Sequence, residues 1–349
     1  MGAPKTQFVT SNNLTRKRWA RDLFKVMLPA VEFNYLLGKD SNAIVQMRTE
    51  LGKGEGDQIT FGIRLPLVED PVVGNDTIEG TEEGMRFRDF NVTIEEMNKG
   101  VDTGGKMEEQ RIPYNLITEG KAGLQDWWSD FLSDFVINYL CGVSGYKVAG
   151  KTFAQAALEP DTSHKLLVND VAEASMTSAD VMDLTFLDRM KQRAETMNIY
   201  TADKAFKVRA LKLNGKNKYR VILHNYVFET LRQNTNVGQW GDLLRSAGKL
   251  GMPEVEIEYN GLLVSKSERI PAVATNVYRN VLLGAQAGVW AWGGAGDTKS
   301  STMAFHPYTR DADRFLMIRG GAIFGMTKPR FDGYDYGVIT GSSYATAIA

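Results

Sequence analysis

The sequence predicts an α+β fold with interwoven lobes, and three observations lead to that prediction. Residues 57–63 alternate polar and apolar side chains and include β-branched members, which is typical of a strand. Residues 124–140 place apolar side chains in steps of three and four, which is typical of an amphipathic helix. Further helix and strand patterns then alternate without internal repeats, heptads or low-complexity linkers. We therefore expect one mixed chain and not an array of modules.

Composition excludes several classes of protein. The chain has 349 residues, 43% hydrophobic and 24% charged, so it can bury a large core in two or more lobes. Its 41 Lys and Arg residues nearly balance 42 Asp and Glu residues, which disfavours a dedicated nucleic-acid binder. The single Cys141 excludes an internal disulfide and, with three His residues, disfavours a structural zinc site. No apolar run reaches the ~18 residues that span a bilayer, and no signal-peptide core is present, so we expect a cytosol-like compartment.

The N-terminal segment carries an interrupted helical pattern. In "LTRKRWARDLFKVMLPAVEFNYLLG", apolar residues recur at helical spacing until Pro29 interrupts them. The other face is basic, with Arg16, Lys17, Arg18, Arg21 and Lys25. A solvated face is the commoner meaning of such a pattern, and contact with a polyanion such as DNA is the alternative hypothesis.

The stretch "LGKGEGDQITF", residues 51–61, can be a phosphate cradle or a turn. Phosphate-binding glycine loops open a helix, whereas Gly52, Gly54 and Gly56 precede a strand pattern, which favours the turn. From there residues 57–70 run outward, residues 71–85 turn, and residues 86–97 run back as a second strand. A lone two-stranded ribbon is marginal in water, so we expect this excursion to lie against another copy of the chain.

The strongest helix pattern begins near Pro113 and ends before Gly142, which predicts a helix about 40 Å long at ~1.5 Å per residue. Its apolar stripe predicts core positions rather than a ligand-stacking surface. Gly120 and Gly123 lie within it, which indicates a kink or a close-packed neighbour. The predicted core residues of this helix are Leu124, Trp127, Trp128, Phe131 and Phe135.

The second half is predicted to be mixed. Residues 183–197 form an amphipathic helix, residues 218–224 a short buried strand, and residues 225–234 the helix that follows. Asn260 and Gly261 supply the positive φ angles of a two-residue hairpin turn. The glycine-punctuated residues 315–342 are strand-rich.

No motif points to catalysis. The loop "GGAGDTKSS" has Thr298 in place of the second glycine of a phosphate loop and opens no helix. "GVSGY" around Ser144 lacks the closing glycine of a nucleophile elbow, and no HExxH occurs. Adjacent carboxylates such as Glu82 and Glu83 are expected to be solvated surface. We therefore predict no catalytic, cofactor-binding or metal-ligating residues, and no enzyme.

The order of these elements resembles a tailed-phage major capsid protein of the Hong Kong 97 type, and more narrowly the major capsid protein family of the coliphage N-four group. The similarity covers about residues 15 to 342. It is carried by "LGKGEGDQITFGIRLPL" with "TIEGTEEGMRF", by "WWSDFLSDFVINYLCG", by "YRVILHNYVFETLR" followed by Trp240, by "NGLLVSKSERIP" with "VLLGAQAGVWAW", and by "GMTKPRFDGYDYGVIT".

The resemblance implies five regions. These are an N-terminal arm at residues 1–48, an extension loop at 49–104, a peripheral domain at 105–180 with a spine helix at about 113–141, an axial domain at 181–300, and return strands to the peripheral domain with the C-terminus at 301–349. The extension loop is expected to lie over a neighbouring subunit. Its expected subunit-contact residues are Arg64, Leu65, Leu67, Val72, Ile78, Glu79, Glu82, Phe87 and Phe90.

By the same resemblance, copies of the chain assemble as hexamers and pentamers into an icosahedral shell around double-stranded DNA, with Arg16, Lys17, Arg18 and Arg21 on the inner face. The expected partners are other copies, a portal protein, decoration proteins and packaged DNA held without sequence specificity, and no membrane. The expected location is the virion, assembled in the cytoplasm of a host bacterium. No lysine–asparagine crosslink pair is predicted. The alternatives are an encapsulin-like nanocompartment shell protein and an unrecognised soluble enzyme.

Some capsid proteins of this type begin with a fused scaffolding segment. Here the similarity begins within about fifteen residues, and "MGAPKTQFVTSNN" is too short for the coiled coil that such a segment needs. The resemblance therefore implies a separate scaffolding protein and an N-terminus that reaches the mature shell nearly intact.

Overall fold

The structure is a computed structural model of the chain. It describes residues 32–50, 56–65, 67, 69–74, 77–105, 116–148, 150–198, 206–213, 215–234, 257–294, 304–311 and 314–347. The predicted basic N-terminal helix, Gly52, Gly54, Trp240 and most of the loop after Gly293 lie outside these residues.

The strands are β1 (Leu37–Gly38), β2 (Val45–Arg48), β3 (Gln58–Arg64), β4 (Phe87–Thr93), β5 (Glu95–Gly105), β6 (Lys165–Leu167), β7 (Leu211–Leu213), β8 (Lys216–His224), β9 (Ile257–Tyr259), β10 (Leu262–Ser267), β11 (Ala272–Ala274), β12 (Val277–Leu283), β13 (Gly288–Trp292), β14 (Ala304–Arg310), β15 (Phe315–Thr327), β16 (Arg330–Phe331), β17 (Tyr334–Asp335) and β18 (Val338–Tyr344). The helices are α1 (Leu116–Cys141), α2 (Leu184–Thr196) and α3 (Asn225–Gln233), with 3-10 turns at Asn34–Leu36, Val168–Asp170 and Glu173–Ser175.

The first sheet has the strand order β1-β2-β13-β15-β14, and β5 pairs with β15. The long helix α1 lies against β5 and β15. Between them, Phe135 of α1 meets Phe324 of β15 edge-on at 5.2 Å between ring centroids, and Trp292 of β13 lies 5.2 Å from the same ring. This aromatic layer is the centre of the larger hydrophobic core.

Helix α1 ends at Cys141 because Gly142 adopts φ +65°, a left-handed conformation that favours glycine. The amide of Gly142 donates to Tyr139 O at 3.2 Å, which closes the last turn. A Cβ at Gly142 would also lie 2.4 Å from Leu158 O, so no larger residue fits there. The helix end therefore stands where the sequence predicted it.

The second sheet has the order β6-β18-β12-β8-β10-β9, with β11 on β12 and β7 on β8. Helices α2 and α3 contribute to a second hydrophobic core on this sheet. Asp183 caps α2 by accepting a hydrogen bond from Phe186 N at 2.8 Å. Between β9 and β10, Asn260 (φ 45°) and Gly261 (φ 75°) form the predicted two-residue turn.

The buried Arg279 links the end of α1 to the second sheet. Arg279 on β12 donates from Nη1 to Gly142 O at 2.7 Å and from Nη2 to Glu173 Oε2 at 2.7 Å. Lys165 Nζ donates to the same carboxylate at 2.8 Å, and Ser342 Oγ donates to Glu173 Oε1 at 2.6 Å. The guanidinium of Arg279 is thus held by the first lobe and by the second.

Three strands join sheets that local sequence patterns do not assign them to. Strand β5, in the stretch predicted as part of the extension loop, pairs with β15 of the first sheet from Glu95↔Phe324 to Gly105↔Phe315. Strand β13 also belongs to the first sheet, whereas β18 pairs with β12 in the second. The reason is pairing between residues far apart in sequence, which local patterns do not reveal.

Candidate assembly surface

The hairpin β3–β4 is a separate two-stranded sheet that carries the predicted extension. It pairs antiparallel from Gln58↔Thr93 to Arg64↔Phe87, and Leu65 N donates to Arg86 O at 2.9 Å beyond the last paired residues. The strands form because residues 58–64 and 87–93 alternate exposed and less exposed side chains. Of the predicted glycine turn before residue 57, the structure describes only Gly56, which has a positive φ of 127°.

The root of the hairpin is anchored on its own subunit. Phe61 and Phe90 stack with their ring centroids 5.0 Å apart, and Phe90 meets Phe331 edge-on at 5.1 Å. Val92 is fully buried against Val289 of β13. These contacts give the base of the ribbon the local core that the sequence did not reveal.

Leu65, which is predicted as a subunit contact, is buried within its own chain. It is only 7% exposed, because it packs with Phe206 and Phe331 in a small cluster of the same chain. Phe90, also predicted as a subunit contact, is half-buried in the stacking just described. Both residues therefore fix the hairpin to its own subunit.

Beyond Leu65 the hairpin exposes apolar side chains. Within the described part of the chain, nine large hydrophobic residues are exposed, and six of these belong to residues 67–87. Leu67 is 64% exposed and Val73 is 76% exposed. The six are Leu67, Val72, Val73, Ile78, Met85 and Phe87. Since such side chains rarely cluster on a monomer surface, the concentration indicates a protein contact site.

The remaining predicted contact residues lie on this exposed part. Arg64, Leu67, Val72, Ile78, Glu79, Glu82 and Phe87 are all exposed. The sequence prediction omitted Val73 and Met85, although both flank glycine turns between polar residues, where apolar side chains have no local core to enter.

The tip is also acidic. Glu69, Asp70, Glu79 and Glu82 are exposed, and none of them forms an ion pair with another described residue. Glu83 differs, because it accepts hydrogen bonds from Glu69 N at 3.0 Å and from Arg86 Nη2 at 3.1 Å. The fold thus leaves four carboxylates facing solvent beside the apolar side chains.

The five predicted core residues of α1 fall into two groups. Leu124, Trp128, Phe131 and Phe135 are buried in the first core. Trp127 is half-buried: it stacks on Phe131 at 5.1 Å, and Lys99 Nζ lies 4.9 Å from its ring centroid. The tryptophan pair therefore spans the edge of the core.

A cavity of about 180 Å³ lies between the hairpin root and the first sheet, lined by residues that include Gln46, Arg48, Phe61 and Phe331. Its lining has no pair of carboxylates and no nucleophile–base arrangement.

In the part of the chain that the structure covers, no cluster of three or more His, Cys, Asp or Glu side chains could hold a metal ion. No described helix combines the length and the apolar character needed to cross a membrane. Arg16, Lys17, Arg18 and Arg21 lie outside the described residues.

Comparisons with known proteins agree on one family. The model of the phage capsid protein family matches residues 8–262. The major capsid protein of Pseudomonas phage KPP25 is 28% identical over 214 residues, which cover 56% of this chain and 57% of that protein. The chain therefore spans a little over half the length of this curated relative.

Solved capsid structures share the fold over nearly the whole chain. The capsid of Ralstonia phage GP4 has a TM-score of 0.76 at 22% identity, with 91% of this chain and 92% of that chain covered. The capsid asymmetric unit of cyanophage Pam1 has a TM-score of 0.71 at 16% identity, with 99% and 98% covered.

Proposed function

This chain belongs to the phage capsid protein family, and from that premise we propose that it is the major capsid protein of a tailed phage, whose copies form hexamers and pentamers of an icosahedral shell. The shell encloses double-stranded DNA. This role requires no catalytic site.

The observation that carries the proposal is the apolar tip of the hairpin. Its root is tied to its own subunit through Phe90 and Leu65, while the residues beyond it project with no core beneath them. Burying one large apolar side chain contributes about 1.5–3 kcal/mol, so six of them on a neighbouring subunit supply a substantial contact, repeated in every copy of the shell.

We assign the predicted regions to the observed lobes on this basis. The first sheet with α1 forms the peripheral domain, and α1 is the spine helix. The second sheet with α2 and α3 forms the axial domain, whose copies surround the hexamer and pentamer centres. Residues 57–94 form the extension loop, which is shorter than the predicted 49–104 at both ends; its C-terminal limit moves back because β5 belongs to the first sheet.

The proposed partners follow from this role. Copies of the chain are the main partner, and a portal protein, a separate scaffolding protein and decoration proteins complete the particle. Contact with packaged DNA is non-specific and falls on the inner face, where we place Arg16, Lys17, Arg18 and Arg21. Near-neutral net charge suits a surface that holds DNA without binding it tightly. Assembly takes place in the cytoplasm of the bacterial host, and the product is the virion.

Cryo-electron microscopy of the expressed chain tests the proposal. The expected result is closed particles or shell fragments in which six and five subunits surround the symmetry axes. Co-expression with the scaffolding protein of the same virus should narrow the distribution of particle sizes. A chain that stays monomeric at high concentration and low salt would contradict a shell-forming role, and particles that hold a cargo enzyme and no genome would indicate a nanocompartment instead.

A further inference from the structure

We propose that the acidic tip of the extension docks on a basic strip of the neighbouring copy, formed by Lys207, Arg209, Lys212 and Lys216. This inference rests on the proposed function, because it names the surface that receives the extension in the shell. It commits to one occupant of that surface, a second copy of this chain.

The basic strip consists of exposed cations between buried apolar residues. Residues 206–218 contain five Lys and Arg residues and no Asp or Glu. Phe206, Val208 and Leu211 are buried, whereas Lys207, Arg209 and Lys212, each next to one of them in sequence, are exposed. Lys216 is exposed at the start of the next strand.

The cations of the strip are not neutralised within the subunit. Lys218, the fifth cation of the segment, is buried and pairs with Glu258 at 2.7 Å. Arg209 donates only to a neutral side chain, Gln286, at 3.4 Å. Neither it nor Lys207, Lys212 or Lys216 forms an ion pair with any residue in the described ranges. Four exposed positive charges within ten residues therefore face solvent.

The acidic tip is the complementary surface. Glu69, Asp70, Glu79 and Glu82 also lack a cationic partner among the residues described, and they match the strip in number and opposite sign. A Cβ built at Gly74, Gly80 or Gly84 would meet no atom within 4 Å, so the tip is surrounded by open space in the isolated subunit.

The strip begins beside the root of its own hairpin, whereas the acidic residues lie beyond that root. Phe206, at the start of the strip, belongs to the same hydrophobic cluster as Leu65. The four acidic residues follow Leu65 in the connection between β3 and β4, and among the described residues none of them forms an ion pair with the strip of its own chain. In a ring of identical subunits, a surface beside the root of the next hairpin is the natural receptor.

A charge swap tests the inference. The tip reversal Glu69→Lys, Asp70→Lys, Glu79→Lys avoids Glu82, which accepts a hydrogen bond from Gly80 N. The strip reversal Lys207→Glu, Lys212→Glu, Lys216→Glu avoids Arg209 for the similar reason that it bonds Gln286. Each reversal alone should raise the critical concentration for shell assembly about tenfold or more, since like charges then face each other. Both reversals in one chain should return it to within about threefold of the unmodified protein.

The control variant reverses exposed lysines that lie outside the strip. Lys147→Glu, Lys151→Glu combined with the tip reversal should leave assembly as weak as the tip reversal alone. Equal thermal melting of the unassembled subunits checks that each variant folds. On the unmodified chain, raising the salt concentration from about 0.1 M to about 0.5 M should raise the critical concentration several-fold, because exposed pairs are screened.

The outcomes separate this inference from the proposed function. If the unmodified chain forms no particles, the proposed function fails. If it forms particles that are insensitive to salt, or if the combined reversal stays as defective as either single reversal, the docking surface is wrong. A strip reversal that assembles normally but retains less DNA would assign the strip to nucleic acid and overturn the inference.

Discussion

At the residue scale, the tryptophan pair of α1 offers a matched comparison. Trp128 is fully buried between α1 and β15, whereas its neighbour Trp127 is half-buried at the edge of the core. Trp128→Ala should lower the free energy of unfolding of the subunit by about 3–5 kcal/mol, because it leaves a large cavity. Trp127→Ala should cost about 1–2 kcal/mol, because less apolar surface is lost. Urea denaturation of unassembled subunits measures both, and equal effects would contradict the burial described.

Glu173 is the residue whose ionisation should couple the subunit's stability to pH. Burial by itself raises the pKa of Glu173, but hydrogen bonds from Arg279, Lys165 and Ser342 and the charge of Arg279 outweigh it and lower the pKa from 4.5 to about 2. A carboxyl group whose pKa is lowered by folding stabilises the fold above its unfolded pKa, and this contribution is lost as the pH falls. The affected window is therefore pH 4.5 to about 2.

We predict that Glu173→Gln makes the free energy of unfolding depend less on pH in the acidic range. The lowered pKa corresponds to roughly 3 kcal/mol of stability in the unmodified subunit that disappears between pH 4.5 and about 2. Chemical denaturation at a series of pH values measures it. Burial by itself raises the pKa of Asp161, but the hydrogen bond with His164, the charge of His164 and hydrogen bonds from the backbone of Asp335 and Ser163 lower the pKa to about 2. Asp161→Asn therefore serves as a second variant, and its free energy of unfolding should also depend less on pH. An unchanged slope in Glu173→Gln would show that the carboxylate does not hold Arg279 in the folded state.

At the element scale, the two glycines inside α1 have different reasons to be there. A Cβ at Gly120 would lie 3.0 Å from Thr103 Cγ2 on β5 and 3.5 Å from Ile318 Cδ1 on β15, whereas at Gly123 it would meet nothing within 4 Å. Gly120 thus lets the helix approach the sheet closely, as the predicted close-packed neighbour requires. Gly123 faces open space in the isolated subunit.

Substitution by valine separates these two roles. Gly120→Val should destabilise the subunit by about 1–3 kcal/mol, because the branched side chain enters a filled interface between helix and sheet. Gly123→Val should be neutral or slightly stabilising, since a glycine in a helix costs about 1 kcal/mol relative to a better helix former. Thermal melting of the two variants compares them directly, and a larger loss at Gly123 than at Gly120 would contradict the packing described.

At the scale of the whole molecule, the two lobes cannot be separated along the chain. Strands β12 and β13 are consecutive in sequence but lie in different sheets, and β18 returns to the second sheet after β15 has completed the first. Arg279 and Glu173 then tie the end of α1 to the second lobe. The hairpin tip is the exception, since its charged and apolar side chains project from the rest.

Deletion of residues 68–85 should therefore leave a folded, soluble subunit that no longer forms closed shells. The root contacts of Phe61, Phe90 and Leu65 remain, so melting should change little, while the proposed subunit contact is removed. Negative-stain microscopy and sedimentation measure assembly, and the full-length chain prepared in parallel is the control. Normal shells from the deleted chain would show that the tip is not needed.

Sequence patterns sufficed for the fold class and for the family. The α+β fold of the Hong Kong 97 type is confirmed by the capsid structures that share the fold, and the phage capsid family is confirmed by the family match. The role of a tailed-phage major capsid protein is the function proposed above. The narrower resemblance to the coliphage N-four group stays a prediction. The hairpin was anticipated from the sequence, and its subunit-contact residues stay a prediction. The run of Lys and Arg from Lys207 to Lys216 was not singled out, although a thirteen-residue segment without acids is visible in the sequence.

By itself the sequence determined the elements whose causes are local. The stripe of α1 and its end at Gly142, the cap at Asp183, and the turn at Asn260 depend on side chains and backbone angles within a few residues. Only the tertiary structure decided that β5 belongs to the first sheet and that Leu65 is buried in a cluster with Phe206 and Phe331. It also decided that Arg279 reaches Glu173, which lies 106 residues away. The physical reason is that burial and ion pairing depend on which surfaces meet, and residues separated by a hundred positions meet only when the whole chain is folded.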